Sequence, residues 1–145
     1  MKRYSLLFMS ILICNSAMAL DFSGNYKCKL IDNADGAFTA ALTLKKDANA
    51  SLDKEGYGSY LVNFTVKGIP YNYTGIAASR GNEIAIYFES IGSNRNPNDK
   101  GVGIASVLTS FEKDGKKSIS FNKFYYEKSY KGKSNYGFEK CIKVE

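Results

Sequence analysis

The chain has 145 residues and a formal net charge of +6, and it contains no histidine and no tryptophan. The missing histidine excludes Ser-His, Cys-His and His-metal chemistry, and the modest positive charge is not the concentrated basic character of a dedicated nucleic-acid binder. We therefore predict a protein that is not an enzyme, has no cofactor or metal site, and has no nucleic-acid partner.

The N-terminal residues are laid out as a secretory signal peptide. Two basic residues precede an uncharged apolar run, residues 4–14, and the triplet Ala17-Met18-Ala19 supplies the small residues that signal peptidase needs. We expect cleavage after this triplet, which removes residues 1–19 and leaves residues 20–145 as one domain in the periplasm or outside the cell. Two alternatives stay open, a lipoprotein signal at Cys14 and an uncleaved anchor, although the run is shorter than the roughly 20 residues that span a bilayer.

The mature segment keeps two cysteines, Cys28 and Cys141, near its opposite ends. An even pair in an oxidising compartment indicates a disulfide, and only one pairing is available. Such a bridge closes a loop of about 110 residues, for which the chain-entropy model gives roughly 4–5 kcal/mol of stabilisation. Two free thiols used for chemistry are the alternative, which the lack of a histidine partner disfavours.

Beyond the signal segment, short stretches with alternating apolar residues recur between turn signals, a pattern typical of β-strands. In the first stretch Tyr26, Cys28 and Leu30 alternate with two lysines. Asp114-Gly115 is the strongest hairpin signal, because both residue types tolerate the positive φ of a type I′ turn. The eight predicted strands cover residues 26–30, 38–45, 60–66, 71–78, 84–88, 102–108, 119–126 and 138–144.

Eight short strands in succession indicate an all-β, antiparallel up-and-down meander. Alternation places one face of each strand in a core and the other in solvent, and eight such strands avoid exposed edges by closing into a barrel. Closure would bring the first strand beside the last, and these two strands carry Cys28 and Cys141. The disulfide would then join the seam, which favours a closed barrel over an open sandwich.

The first predicted strand opens on Phe22-Ser23-Gly24-Asn25-Tyr26. Together with the strand count, this segment resembles the Gly-x-Trp start of lipocalins and related calycin barrels, with Tyr26 in place of the tryptophan. The resemblance implies a barrel of eight or ten antiparallel strands around a ligand pocket. The natural entrance to such a pocket is the barrel mouth.

Tyrosines and lysines are interleaved near the C-terminus, where Tyr125, Tyr126, Tyr130 and Tyr136 accompany several lysines that include Lys131. Tyrosine offers an apolar ring with a polar tip, which suits glycans and protein interfaces, and lysines attract anionic groups. Because neighbours in a strand alternate faces, Tyr125 and Tyr126 cannot both point inward. We expect these five residues to form a surface for a glycan or an anionic partner such as an acidic protein.

The acidic residues give no sign of catalysis. We expect seven of them to lie in loops or at polar strand positions, and not in an apolar pocket that would raise a pKa: Asp53, Glu55, Glu83, Glu89, Glu112, Glu127 and Glu139. The sequence thus favours an exported, non-catalytic binding protein for a small amphiphile or for a partner on the Tyr/Lys surface. The alternative is a secreted inhibitor or protein-interaction domain that acts through its loops.

Overall fold

The structure is a computed structural model. It describes residues 19–70, 72–92, 99–111 and 114–144. The predicted signal segment, apart from its last residue, lies outside the described residues, as does Tyr71 at the start of the fourth predicted strand. Within the described part of the chain, no helix is long and apolar enough to cross a membrane.

Eight strands follow one another along the chain, as the alternating pattern predicts. In the third strand, for example, Tyr60, Val62 and Phe64 are buried while Leu61 and Asn63 are exposed. Aromatic and β-branched side chains favour such half-buried pleated positions. The elements are β1 (Gly24–Asp32), β2 (Gly36–Lys46), a short 3-10 helix (Asp53–Glu55), β3 (Tyr57–Val66), β4 (Asn72–Arg80), β5 (Glu83–Ile91), β6 (Lys100–Phe111), β7 (Lys117–Tyr130) and β8 (Lys133–Val144).

The eight strands form a closed barrel. Each strand pairs antiparallel with the next, and β8 pairs antiparallel with β1. Closure gives every strand two hydrogen-bonded neighbours and so removes the exposed edges of an open sheet. The predicted all-β meander and its closure into a barrel are confirmed, and the open sandwich is excluded.

The disulfide lies inside the barrel at its seam. Cys28 of β1 stands directly opposite Cys141 of β8, with an S–S distance of 2.02 Å and a Cα–Cα distance of 4.1 Å. Both side chains are buried, because each occupies an inward-facing position of its strand. The predicted pairing is confirmed, and a disulfide fits an oxidising, non-cytoplasmic compartment.

The two ends of the barrel differ. At one end, which we term the closed end, Phe22 is buried in the core. The Tyr60 hydroxyl donates to the carbonyl oxygen of Leu20 at 3.0 Å and accepts from the backbone N–H of Phe22 at 3.2 Å. The Tyr26 hydroxyl donates to the carbonyl oxygen of Phe22 at 2.6 Å. Tyr26 therefore helps to hold the N-terminal segment across this end.

The opposite, open end is surrounded by the turns that follow β1, β3 and β7. The β7–β8 hairpin is longer than the sequence predicts and ends in the turn Lys131-Gly132, whose φ values of 47° and 78° are those of a type I′ turn. Asp114-Gly115 lies in the connection between β6 and β7, where Gly115 has a positive φ of 83°. The hairpin that the sequence predicts at this pair is therefore confirmed.

Candidate functional site

The open half of the barrel contains a cavity of about 190 Å³. Its rim includes the exposed residues Asp35 and Lys67, so the cavity opens to solvent between the β1–β2 and β3–β4 turns. An engineered cavity of about 150 Å³ holds benzene, and drug-sized ligands occupy about 300 Å³ or more. The volume therefore suits a molecule of about one ring with a short chain.

One side of the cavity is an aromatic wall made of Phe64, Tyr73, Phe88 and Tyr125, which project from β3, β4, β5 and β7. Successive ring centroids lie 6.1, 5.8 and 6.1 Å apart, and successive rings meet edge to face. This arrangement is favourable for aromatic quadrupoles, and it fixes the rings against one another. The wall presents a preformed apolar surface to the cavity.

A buried ion pair joins two adjacent strands beside this wall. Lys123 of β7 pairs through its Nζ with Glu139 of β8, and both side chains are almost fully buried. The Lys123 Nζ also lies 5.0, 5.4 and 5.6 Å from the ring centroids of Phe64, Phe88 and Tyr125. Buried charges require such compensation, and aromatic faces add to it. The positive charge of Lys123 is thus already balanced by groups of the protein.

A second pair of buried charged groups consists of two carboxyls, Glu127 of β7 and Asp99 just before β6. Glu127 Oε2 accepts a hydrogen bond from Asn135 Nδ2 at 2.6 Å, and Asp99 Oδ2 accepts one from the Tyr73 hydroxyl at 2.6 Å. Burial and then the neighbouring charge of Asp99 raise the pKa of Glu127 to about 8, and burial also raises the pKa of Asp99. The two carboxyls therefore hold a proton between them at neutral pH. They can exchange that proton near neutrality or accept a cation in its place.

Asp32, at the end of β1, connects the rim to this interior. Its Oδ1 accepts from the backbone N–H groups of Ala34 and Asp35, at 3.0 and 2.6 Å, and so builds the β1–β2 turn. Its Oδ2 accepts from the Tyr125 hydroxyl and from Asn135 Nδ2, both at 3.3 Å. Burial and the charge of Asp32 raise the pKa of Tyr125, which therefore stays a hydrogen-bond donor.

The predicted Tyr/Lys surface is divided between the two sides of the sheet. Tyr125 and Tyr130 are buried and line the cavity, whereas Tyr126 and Tyr136 are 42% and 53% exposed on the outer face. The prediction that Tyr125 and Tyr126 take opposite faces is confirmed. Tyr126 stands opposite Tyr136 in the β7–β8 pairing, so these two rings do share one surface.

Tyr130 and Lys131 meet at the rim of the cavity. A β-bulge between Glu127 and Tyr130 interrupts the alternation of β7 and leaves Tyr130 facing inward. The Tyr130 hydroxyl donates to Asp35, and Lys131 Nζ pairs with Asp35 Oδ1 at 2.6 Å. These bonds hold the pKa of Asp35 below its usual value and tie the β7–β8 turn to the β1–β2 turn.

The expectation that the acidic residues avoid the interior is wrong for Glu127 and Glu139, which are 5% and 2% exposed. Their positions in the strands explain this outcome, because Lys123 and Glu127 share the inward phase of Phe121, and Glu139 shares that of Cys141. This phase was the signal in the sequence that could have placed them inside. Glu55, Glu83 and Glu89 are exposed as expected, Asp53 is partly buried, and Glu112 lies outside the described residues.

Comparisons with known proteins found no matching family model, no matching curated protein and no matching solved structure. The closed, eight-stranded antiparallel barrel agrees with the architecture of lipocalins and calycins. That agreement is one of architecture alone.

Proposed function

We propose that this protein is an exported, non-catalytic binding protein that holds a small amphiphilic molecule in the cavity at the open end of the barrel. The observation that carries the proposal is the two-sided lining of the cavity. An aromatic wall forms one side, and buried charged and hydrogen-bonding groups form the other. Export is supported by the N-terminal signal pattern and by the disulfide.

The packing of the barrel supports a ligand site in one half only. The closed half is filled by large side chains that are almost completely buried, among them Tyr26, Leu42, Leu44 and Tyr60. The cavity lies in the open half, where the lining residues reach the exposed turns. A bound molecule would therefore enter between the turns and place its apolar part against the aromatic wall.

The chemistry of the lining favours a binding role over nucleophilic catalysis through a serine, threonine or cysteine. One common route to covalent catalysis uses a serine, threonine or cysteine next to a base. The described lining residues include none of these three types. Their polar groups are instead carboxylates, lysines and tyrosines whose hydrogen bonds are directed largely at one another.

The test is a substitution that fills the cavity, combined with native mass spectrometry of protein purified from its own host. Val66 is buried and lines the cavity, whereas Asn63 of the same strand is exposed. Val66→Trp should abolish the co-purifying mass that the wild-type protein carries, and Asn63→Trp should retain it. Absence of any bound mass in the wild type, or its retention by Val66→Trp, would contradict the proposal.

The outer face supports a second candidate function, the binding of a glycan or an anionic partner. Phe124 and Phe138, with ring centroids 5.5 Å apart, extend the exposed pair Tyr126 and Tyr136 into a four-ring surface. Exposed aromatic clusters of this kind are typical of interaction sites. With heparin as the probe, a Tyr126→Ala, Tyr136→Ala variant should elute from a column at lower salt than wild type, and unchanged elution would contradict this role.

A further inference from the structure

The cavity lining contains more acidic than basic side chains. Four carboxyl side chains and two lysines contribute to the lining. Glu139 is paired with Lys123, Asp35 is paired with Lys131, and the exposed Lys67 lies at the rim. Glu127 has no lysine or arginine partner among the described residues, and its buried neighbour Asp99 has none either.

The buried polar atoms next to Glu127 are also short of hydrogen-bond donors. Among the described residues, Asn135 Oδ1 is buried and accepts no hydrogen bond, and buried Asp99 Oδ1 has no donor apart from the proton that Asp99 shares with Glu127. Both residues are 1% exposed, so bulk water does not satisfy these oxygens. Unpaired buried acceptors are costly. Neither residue lines the cavity, but both are bonded to Glu127, which does.

The groups around Glu127 explain why it lacks an ion pair. It faces Asp99 ahead of β6, Asp32 at the end of β1, and Asn135 on β8. Lys123 projects from the same strand, but it is bonded to Glu139 and surrounded by three aromatic rings. The raised pKa of Glu127 is consistent with a buried carboxyl that lacks a cation.

From this geometry we infer that the occupant of the cavity is a small primary amine with one apolar group, whose ammonium pairs with Glu127 while the apolar group packs on the aromatic wall. The inference rests on the proposed function, because it specifies the ligand class of the same cavity. An ammonium supplies both the positive charge and the N–H donors that this region lacks. The aromatic faces of Phe88 and Tyr125 are favourable neighbours for a cation as well.

Two other ligand classes fit the geometry less well. An anionic amphiphile would add negative charge beside Glu127 and would find Lys123 already neutralised. A metal ion needs several oxygen ligands around one point. Among the described residues, Asp32, Asp99 and Glu127 do not bring three carboxylate oxygens within 4.8 Å of one another.

The test uses three probes of one shape and different charge: 2-phenylethylamine, 2-phenylethanol and 3-phenylpropanoate. Each is titrated calorimetrically into the oxidised domain, with Glu127→Gln as the variant. Glu55→Gln serves as the matched control, since it removes an exposed carboxylate in the β2–β3 connection, at the end of the barrel opposite the cavity. We expect the amine to bind the wild type at least tenfold more tightly than the alcohol, and the propanoate to bind most weakly.

The variants then distinguish a failure of the amine inference from a failure of the proposed binding function. Glu127→Gln should lower the affinity for the amine about tenfold and leave the affinity for the alcohol within a factor of two or three, and Glu55→Gln should change neither. Equal binding of amine and alcohol, or an amine preference that survives Glu127→Gln, would overturn the amine inference while the binding cavity stands. Failure of all three probes to bind would count against the proposed function itself.

Discussion

Removal of the disulfide gives the sharpest test of how this barrel is stabilised. Cys28 and Cys141 are separated by 113 positions in the chain, so the bridge restrains almost the whole unfolded domain. The chain-entropy relation assigns about 5 kcal/mol at 25 °C to a loop of this length. In the folded state the β1–β8 pairing extends from residue 25 to residue 32 of β1, so the seam keeps its hydrogen bonds without the bridge.

The expected change in melting temperature follows from the size of the domain. The 126 residues after position 19 have an unfolding entropy of about 0.26 kcal/mol/K when each contributes about 2.1 cal/mol/K. A loss of about 5 kcal/mol therefore lowers Tm by roughly 19 °C. Loss of the two buried sulfur atoms acts in the same direction, because each alanine leaves a small void.

The assay is thermal unfolding, followed by circular dichroism, of oxidised wild type, reduced wild type and the Cys28→Ala, Cys141→Ala variant. The reduced wild type keeps both sulfur atoms, so its difference from the double variant isolates the loss of packing. Cys28→Ala alone should lower Tm about as much as the double substitution, because either change removes the same bond. A decrease below about 5 °C in the double variant would refute the reasoning, since it would show that the bridge does not restrain the unfolded chain as the loop-entropy argument requires.

Four further outcomes are expected. Because the folded-state pKa of Glu127, about 8, exceeds its unfolded value of 4.5, the folded state binds the extra proton between these pH values. The free energy of unfolding should therefore fall by up to about 1.4 kcal/mol per pH unit as pH rises through this window. Urea titrations at several pH values should show this dependence in the wild type and a weaker one in Glu127→Gln. Lys123→Met leaves Glu139 buried without its partner and should lower the free energy of unfolding by about 3–5 kcal/mol. The double variant Lys123→Met, Glu139→Gln should restore most of that loss. Urea midpoints that fall additively in the double variant would contradict the pairing. Gly75→Ala should prevent folding as judged by circular dichroism, because its Cβ would lie 1.8 Å from a backbone oxygen of β5. The intact mass of exported protein should correspond to a chain that starts at Leu20, and a mass that retains residues 1–19 or a lipid would contradict cleavage there.

Local patterns determined the architecture. Alternating apolar residues with period two predicted eight strands, because each strand buries one face and exposes the other. The two mature cysteines occupy the first and last of those strands, so the disulfide and the barrel seam could be predicted together. Both are confirmed by the direct pairing of Cys28 with Cys141.

The tertiary structure decided where the polar residues go. The inward phase of Lys123, Glu127 and Glu139 was present in the sequence, but their charge suggested solvent. Only closure of the barrel shows that Lys123 pairs with Glu139 and that Glu127 is bonded to Asn135 inside. The bulge that turns Tyr130 inward depends on the pairing of β7 with β8, which strand periodicity does not specify. Asp99 meets Glu127 across a separation of 28 positions, and Asp32 joins them from the first strand. Such contacts between residues distant in sequence depend on the closure and stagger of the barrel. No local pattern could therefore identify the cavity that these residues form.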